Sequence, residues 1–442
     1  METIAAIATP PGRGAIAIVR ASGPMAGELA ARLVREHLSP HYARRVEIVD
    51  ERGTPLDQGV AIFAPGPHSY TGEDLLELHV HGSPVVARDV LRAMLACGAR
   101  LAGPGEFTRR AFENGKMDLS AAAAVAELIE AESRAAARAA LANLTGGLRA
   151  EITRLANDVE DLLERLAAAI DFPDEVSDPP RSQLQDRIES LSAELRDLLA
   201  TGEVGRLVRE GTTVAIVGPP NAGKSSLLNA LLGEERALVS EVPGTTRDTI
   251  EESITVAGVP VRLIDTAGIH AHADRIESAG IDRTMRALEQ AQIALVVIDG
   301  SQPPEEQSRN VLSLTAEHER IVFFNKADLG MTGASDINGA IIGSVFQKET
   351  LGALRAAIAH LGWNDERVDL SRPHLATVVE FDAASAALEA LVHARETLEI
   401  GDPIDLIAGD LREARAALRK ITGEEATEEM LDGIFARFCI GK

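Results

Sequence analysis

The chain has few cysteines, no long apolar run and no cluster of positive charge. Only Cys97 and Cys439 occur among 442 residues, which excludes a disulfide-stapled scaffold. No apolar stretch approaches the ~18–20 residues that a bilayer span needs. Met1-Glu2-Thr3 opens without a basic region leading into an apolar one, so no signal peptide is expected. Lys and Arg number 44 against 68 Asp and Glu, a net charge of −24. The excess is uneven: −1 over residues 1–120, −8 over 121–210, −9 over 211–370 and −6 over 371–442. No basic run offers the broad phosphate-binding surface of a stand-alone nucleic-acid binder, and no internal repeat is visible. What is present is 45 % hydrophobic and 25 % charged residues, an ordinary globular balance, with length for about three domains. A soluble, reduced, cytoplasmic protein is expected, with no membrane contact.

The pattern changes character along the chain. Residues 1–118 read as α+β. Short strands are expected at Ile4–Ala8, Ala15–Arg20, Gly59–Phe63 and Leu75–Val80, and a helix over Ser83–Cys97. Residues 119–210 read as helix. Ile152, Leu155, Val159, Leu162 and Leu166 step by three and four, as do Leu184, Ile188, Leu191, Leu195 and Leu198, giving two apolar stripes. The Pro-rich stretch Asp171–Pro180 should turn the chain between them, and Ala121–Ala142 favours helix by propensity. From 211 to 370, β-rich runs at Thr213–Val217, Ile254–Val256, Val261–Ile264, Ile293–Ile298, Ile321–Phe324 and Ala340–Ile342 alternate with helical patterns, the signature of an α/β module. Residues 371–442 return to helix. An α/β domain inserted into a helical one is the arrangement expected, with the two helical flanks packing together.

Gly218-Pro219-Pro220-Asn221-Ala222-Gly223-Lys224-Ser225 fits G-x-x-x-x-G-K-[ST] between an expected strand and an expected helix, the context the motif requires. Its glycines let backbone N–H groups curl around phosphate oxygens. Asn221, Ala222, Gly223, Lys224, Ser225 and Ser226 are therefore candidate nucleotide contacts, with Lys224 facing the β/γ-phosphates and the Ser225 hydroxyl available to Mg²⁺. Three further segments follow in order. Asp265-Thr266-Ala267-Gly268 can hold the Mg²⁺ shell through Asp265 and reach the γ-phosphate through the Gly268 N–H. Asn325-Lys326-Ala327-Asp328 selects GTP, because the Asp328 carboxylate accepts from guanine N1–H and the exocyclic amine, donors that adenine lacks there. Thr245 and Thr246, in Gly244-Thr245-Thr246-Arg247-Asp248, lie where a Thr completes the Mg²⁺ shell and senses the γ-phosphate. Ser344 falls at the last guanine loop. Together these define a GTPase domain that resembles the translation-factor class of P-loop GTPases.

Hydrolysis needs an oriented water and cover for developing negative charge. The position after Asp265-Thr266-Ala267-Gly268 is Ile269, which does neither. The segment Asp274-Arg275-Ile276-Glu277 follows closely, and its Glu277 is a carboxylate able to polarise water, balanced against an ordinary solvent-facing role. No arginine finger is evident; Asn221 offers instead a carbonyl ligand for a monovalent cation beside the phosphates.

Three segments outside this domain extend the resemblance to the whole chain: Ile7-Ala8-Thr9-Pro10-Pro11-Gly12-Arg13-Gly14-Ala15-Ile16-Ala17-Ile18-Val19-Arg20, Tyr70-Thr71-Gly72-Glu73-Asp74 running on to His81-Gly82, and Phe438-Cys439-Ile440-Gly441-Lys442. With the GTPase motifs between them, the sequence resembles the MnmE (TrmE) family of tRNA-modification GTPases. The resemblance implies a tetrahydrofolate-binding-like dimerisation domain over 1–118, a helical domain in two parts, 119–210 and 371–442, and a Ras-like GTPase domain over 211–370. It implies a homodimer, and K⁺ held by Asn221, Ser240, Val242 and Thr245 where an arginine finger would act. Mg²⁺ would be held by Ser225 and Thr246, and water oriented by Glu277. It further implies an FAD-containing partner, MnmG (GidA), in a heterotetramer that installs an aminomethyl or carboxymethylaminomethyl group at C5 of the tRNA wobble uridine, position 34. The one-carbon unit would come from a 5-formyl or methylene form of tetrahydrofolate, contacted by Arg20, Glu77, Lys116 and Lys442, with Cys439 as a functional thiol at the same pocket. Two departures stand out: His270 where some relatives carry Arg, and Ser344-Val345 in place of Ser-Ala. Competing readings are a ribosome-assembly GTPase, which the missing basic RNA-binding domain argues against, and a folate-dependent transferase in which the GTPase domain is only regulatory.

Overall fold

The structure, a computed structural model, describes residues 2–131, 133–234, 251–265, 278–303, 306–332, 337, 339–363 and 373–442. The chain opens with a mixed sheet of β1 (Ile4–Ile7), β2 (Ile16–Ser22), β3 (Arg44–Val49), β4 (Pro55–Ala64), β5 (Leu75–His81) and β6 (Arg100–Leu101). Their order is β3-β4-β5-β2-β1-β6, antiparallel throughout except for β1 beside β6. Side chains of a strand alternate between faces. Ala17, Val19 and Ala21 of β2 and Leu76, Leu78 and Val80 of β5 therefore bury under α1 (Ala26–Leu33) and α2 (Pro84–Ala96). Cys97 ends α2 inside the same core, the place of a small hydrophobe. Ile16, Ile18, Arg20 and Ser22 take the opposite face, in register with His81, His79, Glu77 and Leu75. One end of that face is covered by α3 (Glu106–Glu113), whose Phe107 packs with Ile4, Ala6, Leu75 and Ala102. Strand β3 and helices α1 and α3 were not among the sequence expectations.

Four helices follow: α4 (Leu119–Glu130), α5 (Arg134–Leu144), α6 (Gly147–Asp171) and α7 (Arg181–Glu210). The Ala-rich stretch is not one helix. Buried Ser133 interrupts it, its hydroxyl accepting from Ala136 N at 3.0 Å, an N-cap that starts a new helix despite the alanine propensity on both sides. The two apolar stripes are buried as the spacing predicts, and residues 172–180 form the break between α6 and α7.

The α/β segment contributes β7 (Thr212–Val217), α8 (Lys224–Glu234), β8 (Glu251–Val256), β9 (Val259–Asp265), α9 (Ser278–Gln290), β10 (Ile293–Asp299), α10 (Glu306–Leu314), β11 (Arg320–Asn325), β12 (Ile341–Ile342) and α11 (Lys348–Trp363). Its sheet order is β12-β11-β10-β7-β9-β8, with only β8 antiparallel. Near-continuous burial of β7, β10 and β11 reflects helices on both faces. The chain closes with α12 (Val378–Ile400), α13 (Ile404–Thr422) and α14 (Glu428–Phe435); α12 starts at a capping box of Thr377 and Glu380.

Two compact units result, one of residues 1–126, 143–199 and 376–442, the other of 127–142 and 200–375. The first joins the N-terminal sheet to the helical flanks, and α13 packs on both α6 and α12. The second is the α/β domain together with α5 and the end of α7. Among the described residues no helix is long and apolar enough to cross a membrane.

Candidate functional site

The phosphate loop connects buried β7 to α8, so its backbone is gripped at both ends. Asn221 has φ of 61° and Gly223 of 99°, both left-handed. Asn tolerates that region better than most residues. At Gly223 a Cβ would lie 2.3 Å from Asn325 Nδ2, so the position excludes any side chain. Lys224 is 9 % exposed and its ammonium donates to the carbonyl oxygens of Gly218 at 2.9 Å and Pro219 at 2.8 Å. Its charge is thereby held inside the curl of the loop. Ser225 and Ser226 sit in the exposed first turn of α8, and Asn221 is exposed beside them.

Asn325 ties this loop to the segment that carries Ser344 and Val345. Its Nδ2 donates to Ala222 O at 2.9 Å, and its Oδ1 accepts from Val345 N at 3.2 Å. Lys326, with φ of 64°, pairs with Asp299 at 2.7 Å. Burial works against ionisation of Asp299, but hydrogen bonds from Lys326 and Ser301 outweigh it and hold the carboxyl below its ordinary range. Asp328 is exposed, in a single 3₁₀ turn; Ser344 is buried. Ala327 N donates to Gly343 O at 3.1 Å, joining the two base loops. Sequence reasoning missed Asp299. Its signal is the parallel register that sets it opposite Asn325. Asp265 closes β9 opposite Ile216. Ser240, Val242, Thr245, Thr246, Thr266, Ala267, Gly268 and Glu277 lie outside the described residues.

A second constellation lies on the N-terminal sheet. Arg20 is 9 % exposed. Its guanidinium carbon stands 4.4 Å from the Phe107 ring centroid and 5.7 Å from that of Tyr70, a cation–π arrangement. It donates to Gly441 O, while its Nε is buried without a partner. Burial lowers its pKa, opposed by neighbouring Glu77. Glu77 faces Arg20 across the β2–β5 ladder and lies 3.1 Å from His79 Nε2. The C-terminal segment docks here as well. Phe107 N donates to Lys442 O at 3.1 Å, and Gly105 N to Cys439 O at 3.5 Å. Gly441 has φ of 96°, and a Cβ there would meet Ile7 O at 2.4 Å. Arg20, Glu77 and the 439–442 segment are thus brought together, with Cys439 exposed. Lys116 stands apart from that contact set, donating to Pro67 O at 2.9 Å.

Comparison with known proteins relates the chain to one family over its whole length. Residues 3–116 match the family profile described as GTP-binding protein TrmE N-terminus, and residues 119–439 match the MnmE helical domain. A tRNA modification GTPase MnmE of Laribacter hongkongensis is 42 % identical over 456 residues, covering 100 % of this chain and 99 % of its own. Its namesake in Nitrosomonas eutropha is 41 % identical over 455 residues, with the same two coverages. Among solved structures, the G domain of the T. maritima FeoB iron transporter is 25 % identical, with a TM-score of 0.26. The match covers 34 % of this chain and 98 % of that one.

Proposed function

The chain belongs to the MnmE (TrmE) family of tRNA modification GTPases and is a GTP hydrolase, and on that premise we propose how it works. It is a K⁺-stimulated GTPase that acts as a homodimer with an FAD-containing partner, MnmG, to build an aminomethyl or carboxymethylaminomethyl group at C5 of the tRNA wobble uridine. The observation that carries the nucleotide half is Asn325. One side chain clamps the phosphate loop at Ala222 and the base loop at Val345, so that base and phosphate recognition form one rigid frame. Lys224 covers charge at the transferred phosphoryl group, and Asp328 reads the guanine edge. Ser225, Thr246 and Asp265 are the Mg²⁺-side groups. Asn221, Ser240, Val242 and Thr245 would hold K⁺, whose positive charge offsets negative charge developing on the phosphates. Hard oxygen donors of this kind suit both ions, and the exposed Asn221 and Ser225 fit that use. Glu277 orients the attacking water.

The folate half is supported by Arg20, buried with an orphaned Nε beside Glu77. A desolvated guanidinium with a free donor favours an acidic ligand group, and a tetrahydrofolate supplies carboxylates as well as a pterin edge for Glu77. Lys442 and Cys439 belong to the C-terminal segment that docks beside Arg20, and Lys116, which stands apart in this structure, would have to reach in from the loop after α3. A homodimer is supported by the uncovered half of this sheet face, where Ile16 is 60 % exposed next to half-buried Ile18, Val60 and Ile62.

The test is GTP turnover of the full chain in KCl against NaCl. Turnover faster by about 10-fold or more in K⁺, and lost on Asn221→Ala, is expected for cover of developing charge. Equal rates in the two salts contradict the cation assignment.

A further inference from the structure

Arg110 is one of the most buried charges of the N-terminal domain, 5 % exposed, yet it lies outside the contacts already described. It sits on α3 and divides its guanidinium between two carboxylates. One terminal nitrogen donates to Glu73 Oε2 at 2.9 Å and to Ser22 O at 3.5 Å, the other to Glu106 Oε1 at 2.9 Å. Glu73 Oε2 accepts in addition from Ser22 Oγ at 2.8 Å, and Ser22 Oγ meets Thr71 Oγ1 at 2.7 Å. Glu106 is held from its other side by Arg100. Every group in this network is satisfied, which makes it stiff.

The network joins two particular segments. Arg20 lies between two rings: Phe107, on α3, and Tyr70, on the loop that leads into β5. Arg110 shares α3 with Phe107, and Glu73 shares the loop with Tyr70. A second tie runs alongside, Thr108 Oγ1 to Tyr70 OH at 2.9 Å. The Arg110–Glu73 pair therefore sets the spacing of the two aromatic faces that fix the plane of the Arg20 guanidinium. We propose that Arg110, through Glu73, is a positioning residue for acidic-ligand recognition at Arg20. The proposal rests on the reading of that site as a folate site.

Removing Arg110 leaves the part-buried Glu73 carboxylate without its cation, while Glu106 keeps Arg100, so the ion-paired tie between α3 and the Tyr70 loop is lost. With the Thr108–Tyr70 contact as the remaining side-chain tie, Phe107 and Tyr70 are held less firmly, and Arg20 loses part of its orientation. Loss of a supporting contact of this kind weakens ligand binding by about 10–100-fold. Titration of full-length wild type, Arg110→Met, Arg110→Lys and Glu73→Gln with 5-formyltetrahydrofolate by calorimetry reads both Kd and stoichiometry. A positioning role raises Kd at unchanged stoichiometry in Arg110→Met and Glu73→Gln, with partial recovery in Arg110→Lys, which restores one of the two ion pairs. A merely structural role lowers Tm and stoichiometry while Kd of the folded fraction stays at the wild-type value, and that result overturns the proposal. If Arg110→Met does not fold, Arg110→Lys and Glu73→Gln decide. Wild type that binds no 5-formyltetrahydrofolate defeats the folate reading itself, an outcome distinct from wild-type affinity in the variants.

Discussion

At the scale of single residues, the proposed GTP site draws on a few side chains whose loss is expected to be costly. Lys224→Ala removes the one ammonium held in the phosphate loop, and its turnover is expected to fall by at least about 100-fold, as for other lost transition-state charge contacts. Steady-state GTP hydrolysis measures this. Gly223→Ala places a Cβ 2.3 Å from Asn325 Nδ2 at a left-handed φ. It should destabilise the domain by about 1–3 kcal/mol, read by urea unfolding, and disconnect the Asn325 clamp. Glu106 responds to acid. Burial opposes its ionisation, but hydrogen bonds from Arg100, Gly103 N and Arg110 prevail and hold it at about 2. A depressed carboxylate contributes stability above the ordinary carboxylate range and loses it as pH falls through the folded value. Between about pH 4.5 and pH 2, wild type should lose stability more steeply than Glu106→Gln in acid denaturation.

These residues differ in how readily the sequence reveals them. The phosphate loop and Asn325-Lys326-Ala327-Asp328 are contiguous, and their chemistry follows from spacing alone. Asp299 and Arg110 are invisible in the same reading. Asp299 acts because β10 and β11 align it with Asn325, and Arg110 acts on residues 37 and 88 positions away. Contacts of that range are products of register and packing, which no local pattern encodes.

At the scale of elements, periodicity located most of the strands and long helices, and one small polar residue corrected it. Ser133 splits the Ala-rich stretch because a buried hydroxyl satisfying a helix N-terminus outweighs propensities of a few tenths of a kcal/mol per residue. Strand β3 carries a period-2 run, Val46 and Ile48 inward, that is short and preceded by two arginines. The C-terminal segment is another element that local pattern does not reveal. It is held by main-chain contacts to α3 and by the close approach of Gly441 to Ile7. Gly441→Ala introduces strain of about 1–3 kcal/mol and should free the segment. Exchange of the Phe107 amide, which donates to Lys442 O, is then expected to accelerate by roughly 5–150-fold. An unchanged rate means the segment is not held by that contact.

At the scale of the whole molecule, the charge of −24 bears on the division of labour. The sequence carries an acidic excess and no long basic run, and tRNA binding through phosphates draws on clustered Lys and Arg, so the proposed partner is expected to supply positive charge. The proposed homodimer is testable on the sheet face that α3 leaves open. Ile16→Lys, at a site already 60 % exposed, should leave the fold intact and shift the mass by light scattering from dimer to monomer. A dimer that persists places the interface elsewhere.

The central claim is that GTP hydrolysis by this chain serves wobble-uridine modification. Nucleoside mass spectrometry of total tRNA tests it most directly, in cells lacking the protein and in the same cells complemented with wild type or with Lys224→Ala. The account predicts loss of a 5-substituted, aminomethyl-type uridine on deletion, its return with wild type, and no return with Lys224→Ala. An unchanged uridine profile on deletion, or full restoration by Lys224→Ala, contradicts it.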